Sequence, residues 1–225
     1  MVQAPHGPLR SFGRLKSRPI KPRQAGLMET LLPRLAIDLT APPLGPETLG
    51  DGETWLEIGF GGGEHLAEQA ARHPQVRLLG AEPFLNGAAS ALRHLDERGL
   101  QNVRLHVGDA RELAAELPDA ALARVFILFP DPWPKARHRK RRLVNPAFAA
   151  ELARVLAPGG RLRFATDWAD YAETALLALR GEPRLRWTAA RADDWRTPPA
   201  DHVTTRYEQK SLGDIAPVFL DFVRV

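Results

Sequence analysis

Five carboxylates recur at one kind of place along this chain. Glu57, Glu82, Asp109, Asp131 and Asp167 each stand at or beside the end of an apolar run, where a turn or a new helix begins. Ionised carboxylates only accept hydrogen bonds, so acids gathered on one rim would take hydroxyls and amino groups or pair with an ammonium. The most specific stretch is Phe129-Pro-Asp-Pro-Trp-Pro-Lys135. Its prolines make a stiff, extended loop that holds Asp131 and Trp133 in fixed relation. An acid beside an aromatic face suits a nucleobase, stacked on the ring and read along its N–H edge. Guanine offers two such donors, N1–H and N2–H. Directly after come Lys135, Arg137, Arg139, Lys140, Arg141 and Arg142, with no acid among them. That run fits a polyanion.

A second stretch supplies the complementary chemistry. Trp55-Leu-Glu-Ile-Gly-Phe-Gly-Gly-Gly-Glu64 runs from an apolar segment through a glycine turn into an amphipathic pattern. Strand, glycine turn and helix open a nucleotide-binding βαβ unit. Glycines such as Gly59 and Gly61 let the backbone approach a ligand, and the helix start offers free N–H groups. The dinucleotide fingerprint needs a third glycine where Glu64 stands. A carboxylate there repels a pyrophosphate, which disfavours NAD. A ligand with ribose and adenine but no phosphate fits better, and S-adenosylmethionine is the common one. Glu82 follows the turn by about twenty residues, the position of an acid that accepts both ribose hydroxyls. Asp109 would then reach the adenine amino group, and Glu57 the ammonium of the methionine end.

These residues need a scaffold that brings strand ends together. Strands are expected at 55–60, 76–81, 103–107, 124–129 and 161–165, with a sixth at 184–188. Helices are expected after Gly63, over 88–98, from Asn145-Pro146 to Pro158-Gly159-Gly160, and over 168–179, where Thr166-Asp167 would cap. A short helix or docking segment is expected over 28–39. Thr204–Ser211 and Val218–Val225 would form a last antiparallel hairpin. Alternating strands and helices imply an α/β, doubly wound, mostly parallel sheet, whose ligands bind beyond the strands' carboxyl ends.

Composition bounds the rest. A chain of 225 residues suits one domain over 26–225, behind a flexible basic arm at 1–25 that carries Arg10, Arg14, Lys16, Arg18, Lys21 and Arg23. The net charge is +4, yet without this arm and the run at 135–142 only 19 basic residues face 27 acids. The body is acidic, and the positive field is local. There is no cysteine, which excludes disulfides, thiolate metal sites and cysteine nucleophiles. No metal is expected, because the histidines are scattered. No apolar run reaches the roughly 20 residues of a membrane span, and the basic N-terminus lacks a signal-peptide core, so no membrane association and a cytoplasmic home are expected.

With these stretches in view, the chain resembles the tRNA (guanine-N7-)-methyltransferase family from about Arg10 to Lys210. The resemblance rests on Glu57-Ile-Gly-Phe-Gly-Gly-Gly-Glu64, Gly108-Asp-Ala110, Phe129 to Arg142, Pro158-Gly-Gly160 with Thr166-Asp167, and Thr205-Arg-Tyr-Glu208. It implies a Rossmann-like class I methyltransferase sheet of seven strands with an antiparallel hairpin at the C-terminus. It implies S-adenosylmethionine at Glu57, Glu82, Asp109 and Asp131, with Asp131 catalytic. Lys135, Asp167, Thr205, Arg206, Tyr207 and Glu208 would contact the substrate, and Arg137, Arg139, Lys140, Arg141 and Arg142 the RNA. The product would be 7-methylguanosine at position 46, in the tRNA variable loop. The protein would work as a monomer or homodimer without an obligate protein partner. After Lys210 the match weakens, which bears on the last hairpin. Two other readings stay open: a methyltransferase of another target, and a non-catalytic RNA-binding module of the same fold.

Overall fold

The computed structural model describes residues 19–40 and 44–225. Most of the arm expected at 1–25, with Arg10, Arg14, Lys16 and Arg18, lies outside the described residues. The helix expected from Met28 begins earlier, at Pro22: α1 spans Pro22–Thr30 and α2 Leu32–Leu35. Proline at the first helical position is pre-set for a helix and loses no hydrogen bond there. Leu27, Met28 and Leu31 pack on the core, while Arg23 bonds Asp96 and Glu97 at the surface. The boundary expected at residue 25 therefore falls inside a docked helix.

Beyond the short α3 (Pro46–Leu49), strands and helices alternate. They are β1 (Thr54–Ile58), α4 (Glu64–Arg72), β2 (Arg77–Ala81), α5 (Leu85–Glu97), β3 (Val103–His106), α6 (Ala110–Glu116) and β4 (Leu122–Leu128). After them come α7 (Pro146–Val155), β5 (Leu156–Thr166), α8 (Ala169–Arg180), β6 (Leu185–Trp187), α9 (Asp193–Arg196) and β7 (Val218–Arg224). The seven strands form one sheet in the order β3-β2-β1-β4-β5-β7-β6. The first five are parallel, and β7 runs antiparallel to β5 and β6. Strand order reverses between β1 and β4, so a crevice opens beyond their carboxyl ends. No helix of the described residues is long and apolar enough to cross a membrane.

Alternate residues of each strand feed two core layers. Leu56, Ile58, Val125, Ile127, Leu162 and Phe164 join the layer under α6, α7 and α8. Trp55, Leu78, Phe126 and Phe219 join the one under α4 and α5. Burial on both faces is what lets these strands read as near-continuous apolar runs.

Three local expectations are corrected. The closing antiparallel pair is β6 with β7, Arg186 opposite Val223, and not residues 204–211 with 218–225. Residues 204–211 form a loop ending in a 3₁₀ turn at Glu208–Lys210, because Glu208 accepts from the Thr205 amide at 2.8 Å and lies 2.8 Å from His202 Nε2. Side-chain bonds of this kind compete with a strand ladder. The helix after β5 starts at Ala169, and its first amide is accepted by Asp214 at 2.8 Å rather than by Asp167. Helix α7, by contrast, has the expected start, with Asn145 Oδ1 accepting from the Phe148 amide and proline behind it. It stops at Val155, ahead of Pro158, because the chain there enters β5.

Candidate active site

The glycine turn follows β1 directly. Gly59 and Gly61 have φ of 73° and 52°, in the left-handed region, and nothing lies within 4 Å of where a side chain would begin. The turn thus presents bare backbone to open space. Across from it, a Cβ on Gly87 would lie 2.4 Å from the Gly61 carbonyl, so α5 can seat its first turn there only as glycine. Between them sits Glu82, buried, with Oε2 accepting from the Gly61 amide at 2.8 Å and Oε1 from the Phe84 amide at 2.9 Å. Burial pushes its pKa up, and the two amides oppose that shift. Each oxygen keeps a second lone pair. A pair of vicinal hydroxyls is a group those lone pairs could take.

Glu57 is buried on the α4 side of β1 and lies 2.7 Å from His65 Nδ1. The hydrogen-bond network fixes where the proton sits. Gln69 Nε2 is 3.1 Å from the Asp201 carbonyl, which can only accept, so that atom is the amide nitrogen. The same nitrogen is 3.3 Å from His65 Nε2, which therefore accepts. The ring proton is then on Nδ1 and is donated to Glu57.

Asp109 caps α6, accepting from the Arg111 amide at 2.9 Å, and its oxygens also hold the Arg111 guanidinium at 2.9 and 2.6 Å. Burial would raise this carboxyl, but the Arg111 bonds outweigh it and hold the pKa below its ordinary value. Asp131 is the opposite case. Its side chain is exposed and has no such partner among the described residues, and the protein surrounding the cleft still pushes its pKa up. Phe129 and Trp133, on either side of Pro130-Asp131-Pro132, have φ of 51° and 44°. Bulky residues rarely adopt that region, and strain of this kind persists only where the surroundings over-determine it.

One such constraint is Arg142. It is buried, donates through Nε to the Pro132 carbonyl at 2.9 Å, and through its other nitrogens to Thr174 at 2.8 Å and to the Asp170 carboxylate. The expectation that Arg142 contacts RNA is therefore corrected. It faces inward and clamps the Asp131 loop to α8. The rest of the basic run forms a 3₁₀ helix over Ala136–Arg141. Arg137, Arg139 and Lys140 are exposed there, as is Lys135 before it, and Arg139 pairs with Asp170 at 2.9 Å. Arg141 turns back, its guanidinium 5.0 Å from the Trp133 ring centre.

The loop 204–210 forms the facing wall. Arg206 reaches Glu64 at 3.1 Å across the glycine turn. Tyr207 packs its ring 5.6 Å from that of Phe129, and its hydroxyl donates to Asp167 Oδ1 at 3.3 Å. Asp167 is buried behind this contact and orients Tyr207 rather than facing the opening.

The result is one cleft of about 860 Å³. It brings together Glu57, Gly59, Gly61, Glu82, Asp109 and Asp131 with Arg141, Thr205, Arg206 and Tyr207. Lys135, Arg137, Arg139 and Lys140 lie outside its lining, and Glu208 acts beneath it by bracing Thr205. Sequence reasoning missed His65, Gln69, Arg111 and Lys210. Of these, His65 carried a readable signal, since the first turn of the helix that follows a strand-borne acid is where a partner for that acid would stand.

Similarity to known proteins agrees with this geometry. A family model described as "Putative methyltransferase" matches residues 51–219. The tRNA (guanine-N(7)-)-methyltransferase of Caulobacter sp. (strain K31) is 63% identical, over 99% of this chain and 98% of its own. That of Hyphomonas neptunium is 52% identical, over 95% of this chain and 99% of its own. Among solved structures, a 16S rRNA (adenine(1408)-N(1))-methyltransferase from Catenulisporales acidiphilia, determined with cosubstrate SAM, aligns with a TM-score of 0.58 at 17% identity, covering 81% of this chain and 92% of that one. An rRNA methylase from Streptococcus thermophilus aligns at 0.53 and 14% identity, covering 80% and 90%. At such identities the structural likeness speaks to the seven-strand fold alone. The sequence likeness reaches nearly end to end, and on it the chain belongs to the tRNA (guanine-N(7)-)-methyltransferase family.

Proposed function

We propose that this chain methylates N7 of a guanine at position 46, in the variable loop of tRNA, using S-adenosylmethionine and giving 7-methylguanosine. The observation that carries this reading is the single cleft in which the glycine turn with Glu82 meets the strained Phe129–Trp133 loop with Asp131. The first half suits a ribose-bearing ligand without phosphate, and the second suits a nucleobase. The residues present fit the cofactor. Gly59 and Gly61 leave the space a side chain would fill, Glu82 has lone pairs to spare, and Glu57, bonded to His65 through Oε2, keeps its other oxygen for an ammonium. Asp109 fits less simply, because Arg111 already occupies most of its acceptor positions.

S-adenosylmethionine supplies an already activated methyl group. Guanine N7 carries a free lone pair at neutral pH, so no proton has to leave before it attacks. The chain therefore has to position and stabilise, not deprotonate. Asp131 accepts from the guanine N–H edge and faces the positive charge that grows on the purine. A carboxylate whose surroundings resist its charge gains more when an opposite charge appears beside it. That gain is larger in the transition state than before it. Trp133 and Arg141 would stack the base, which has to leave its own stack to enter. The exposed Lys135, Arg137, Arg139 and Lys140 would hold the RNA backbone. The protein would act in the cytoplasm, as a monomer or homodimer.

The test is mass spectrometry of nucleosides from unmodified tRNA incubated with the protein and the cofactor. 7-Methylguanosine should form, and a tRNA with adenine at position 46 should give none. A different methylated nucleoside would assign another target, and no methylation by the folded protein would favour a binding module.

A further inference from the structure

A second concavity lies on the same sheet, away from the cleft. It measures about 280 Å³ and shares no lining residue with the first. Its floor is set by strand register. Arg124 on β4 lies opposite Arg161 on β5, Arg161 opposite Val223 on β7, and Val223 opposite Arg186 on β6. One row thus carries three arginines across four adjacent strands. Arg163, two residues along β5, shares their face and lies opposite Asp221.

The charges in this patch do not balance. Arg163 is tied to Asp221 at 2.8 Å and to Asp201 at 2.6 Å, and Arg124 to Asp201 at 2.5 Å. Those two carboxylates serve Arg124 and Arg163. Arg161 and Arg186 line the same hollow, are exposed, and make no ion pair with a carboxylate among the described residues. Like charges directly opposite each other on neighbouring strands destabilise a sheet. Apolar or neutral residues would have served this face at no such cost. A bound anion removes the repulsion, and guanidinium forks match tetrahedral oxyanions in pairs.

We propose that this hollow is a phosphate-binding site, held by Arg161 and Arg186 with Arg124 and Arg163 behind them, and that its ligand is a phosphate group of bound RNA. The RNA source rests on the tRNA reading above, whereas the anion chemistry does not. The site sits toward the amino end of β4, four residues before Leu128. It would therefore grip a part of the RNA distant from the reacting base.

The experiment compares wild type with the double variant Arg161→Gln, Arg186→Gln. Both residues are exposed, and thermal melting of the variant checks that it is folded. Unmodified tRNA is titrated across a salt series, and inorganic phosphate is titrated separately against melting temperature. Losing the one phosphate that the two arginines share should lower the slope of log K against log salt by about 0.7–0.9, with binding of S-adenosylhomocysteine unchanged. A parallel slope, together with phosphate stabilising wild type but not the variant, would keep the anion site and assign it to a free phosphate group. Parallel slopes and equal phosphate responses would overturn the proposal, whatever the enzyme does at its cleft.

Discussion

Glu82 has to stay charged in a place that resists charge. Burial raises its pKa, and the amides of Gly61 and Phe84 are what oppose the shift. Those amides use one lone pair on each oxygen, and the other two are the proposed hold on the ribose. Glu82→Ala should therefore lower affinity for S-adenosylhomocysteine about ten- to a hundredfold, since charge-assisted hydrogen bonds are worth roughly 1.5–3 kcal/mol. Calorimetry on the folded variant measures it, and unchanged affinity would remove Glu82 from the site. Asp131 makes a different prediction. Its pKa is raised, so it takes up a proton at a higher pH than an ordinary aspartate. Single-turnover methyl transfer at saturating tRNA should then fall on acidification before the usual carboxylate range is reached. Asp131→Asn should be slow at every pH and should lose that acid limb. A variant within twofold of wild type would end the catalytic assignment. Residues such as these were legible from sequence because strand ends in a doubly wound sheet converge, so an acid at each end already implies a rim. Arg142 was not legible. Within a run of six basic residues, nothing in composition says which one turns inward.

At the scale of elements, the Asp131 loop is held by its neighbours more than by itself. Three prolines stiffen it, but the strained backbone at Phe129 and Trp133 needs outside support, and Arg142 supplies it from below by linking Pro132 to α8. Arg142→Ala would leave the Pro132 carbonyl and Asp170 without that donor. The loss should be roughly 2–4 kcal/mol, as for other buried charged hydrogen-bond donors. Urea unfolding should show a lower midpoint at unchanged slope, with methyl transfer falling further than cofactor binding. Arg142→Lys should not restore the rate, because an ammonium cannot reproduce the fork. Full recovery by lysine would show that charge alone matters. The exposed neighbours should behave otherwise. Neutralising Arg139 and Lys140 should leave stability nearly intact and flatten the salt dependence of tRNA binding by about 0.7–0.9 for each phosphate no longer neutralised. Element order was readable because apolar periodicity and caps report it locally. The β6–β7 pairing was not, since Thr204–Ser211 has a strand-like pattern and its diversion depends on Glu208 meeting His202 and on Tyr207 meeting Asp167 in space.

Across the whole molecule, Asp201 joins parts that the chain order keeps apart. Its carboxylate holds Arg124 on β4 and Arg163 on β5, and its carbonyl receives Gln69 on α4, which in turn orients His65 and Glu57. It also precedes the loop that forms the cleft's facing wall. No local pattern announces such a residue, because each of its bonds spans a long stretch of sequence. Burial alone would raise the Asp201 carboxyl, but the Arg163 and Arg124 bonds outweigh it and bring the pKa from 3.8 down to about 2. The sign of the linkage follows. Between those values the unfolded chain binds more protons than the folded one, so stability rises with pH through that window. The contribution is complete above about pH 4–5 and is lost as pH falls toward about 2, with roughly half gone near pH 3. Asp201→Asn removes the charge at every pH. The difference in unfolding midpoint between wild type and this variant should therefore be constant from neutral pH down to about 5 and shrink clearly by pH 3. A difference that stays constant to pH 3 would show that the two arginines do not hold Asp201 in the charged form. Because the loop of the facing wall begins three residues after Asp201, the same variant should bind S-adenosylhomocysteine less tightly at neutral pH, where the folded state is fully populated. Normal affinity there would separate the arginine network from the cleft and confine Asp201 to stability.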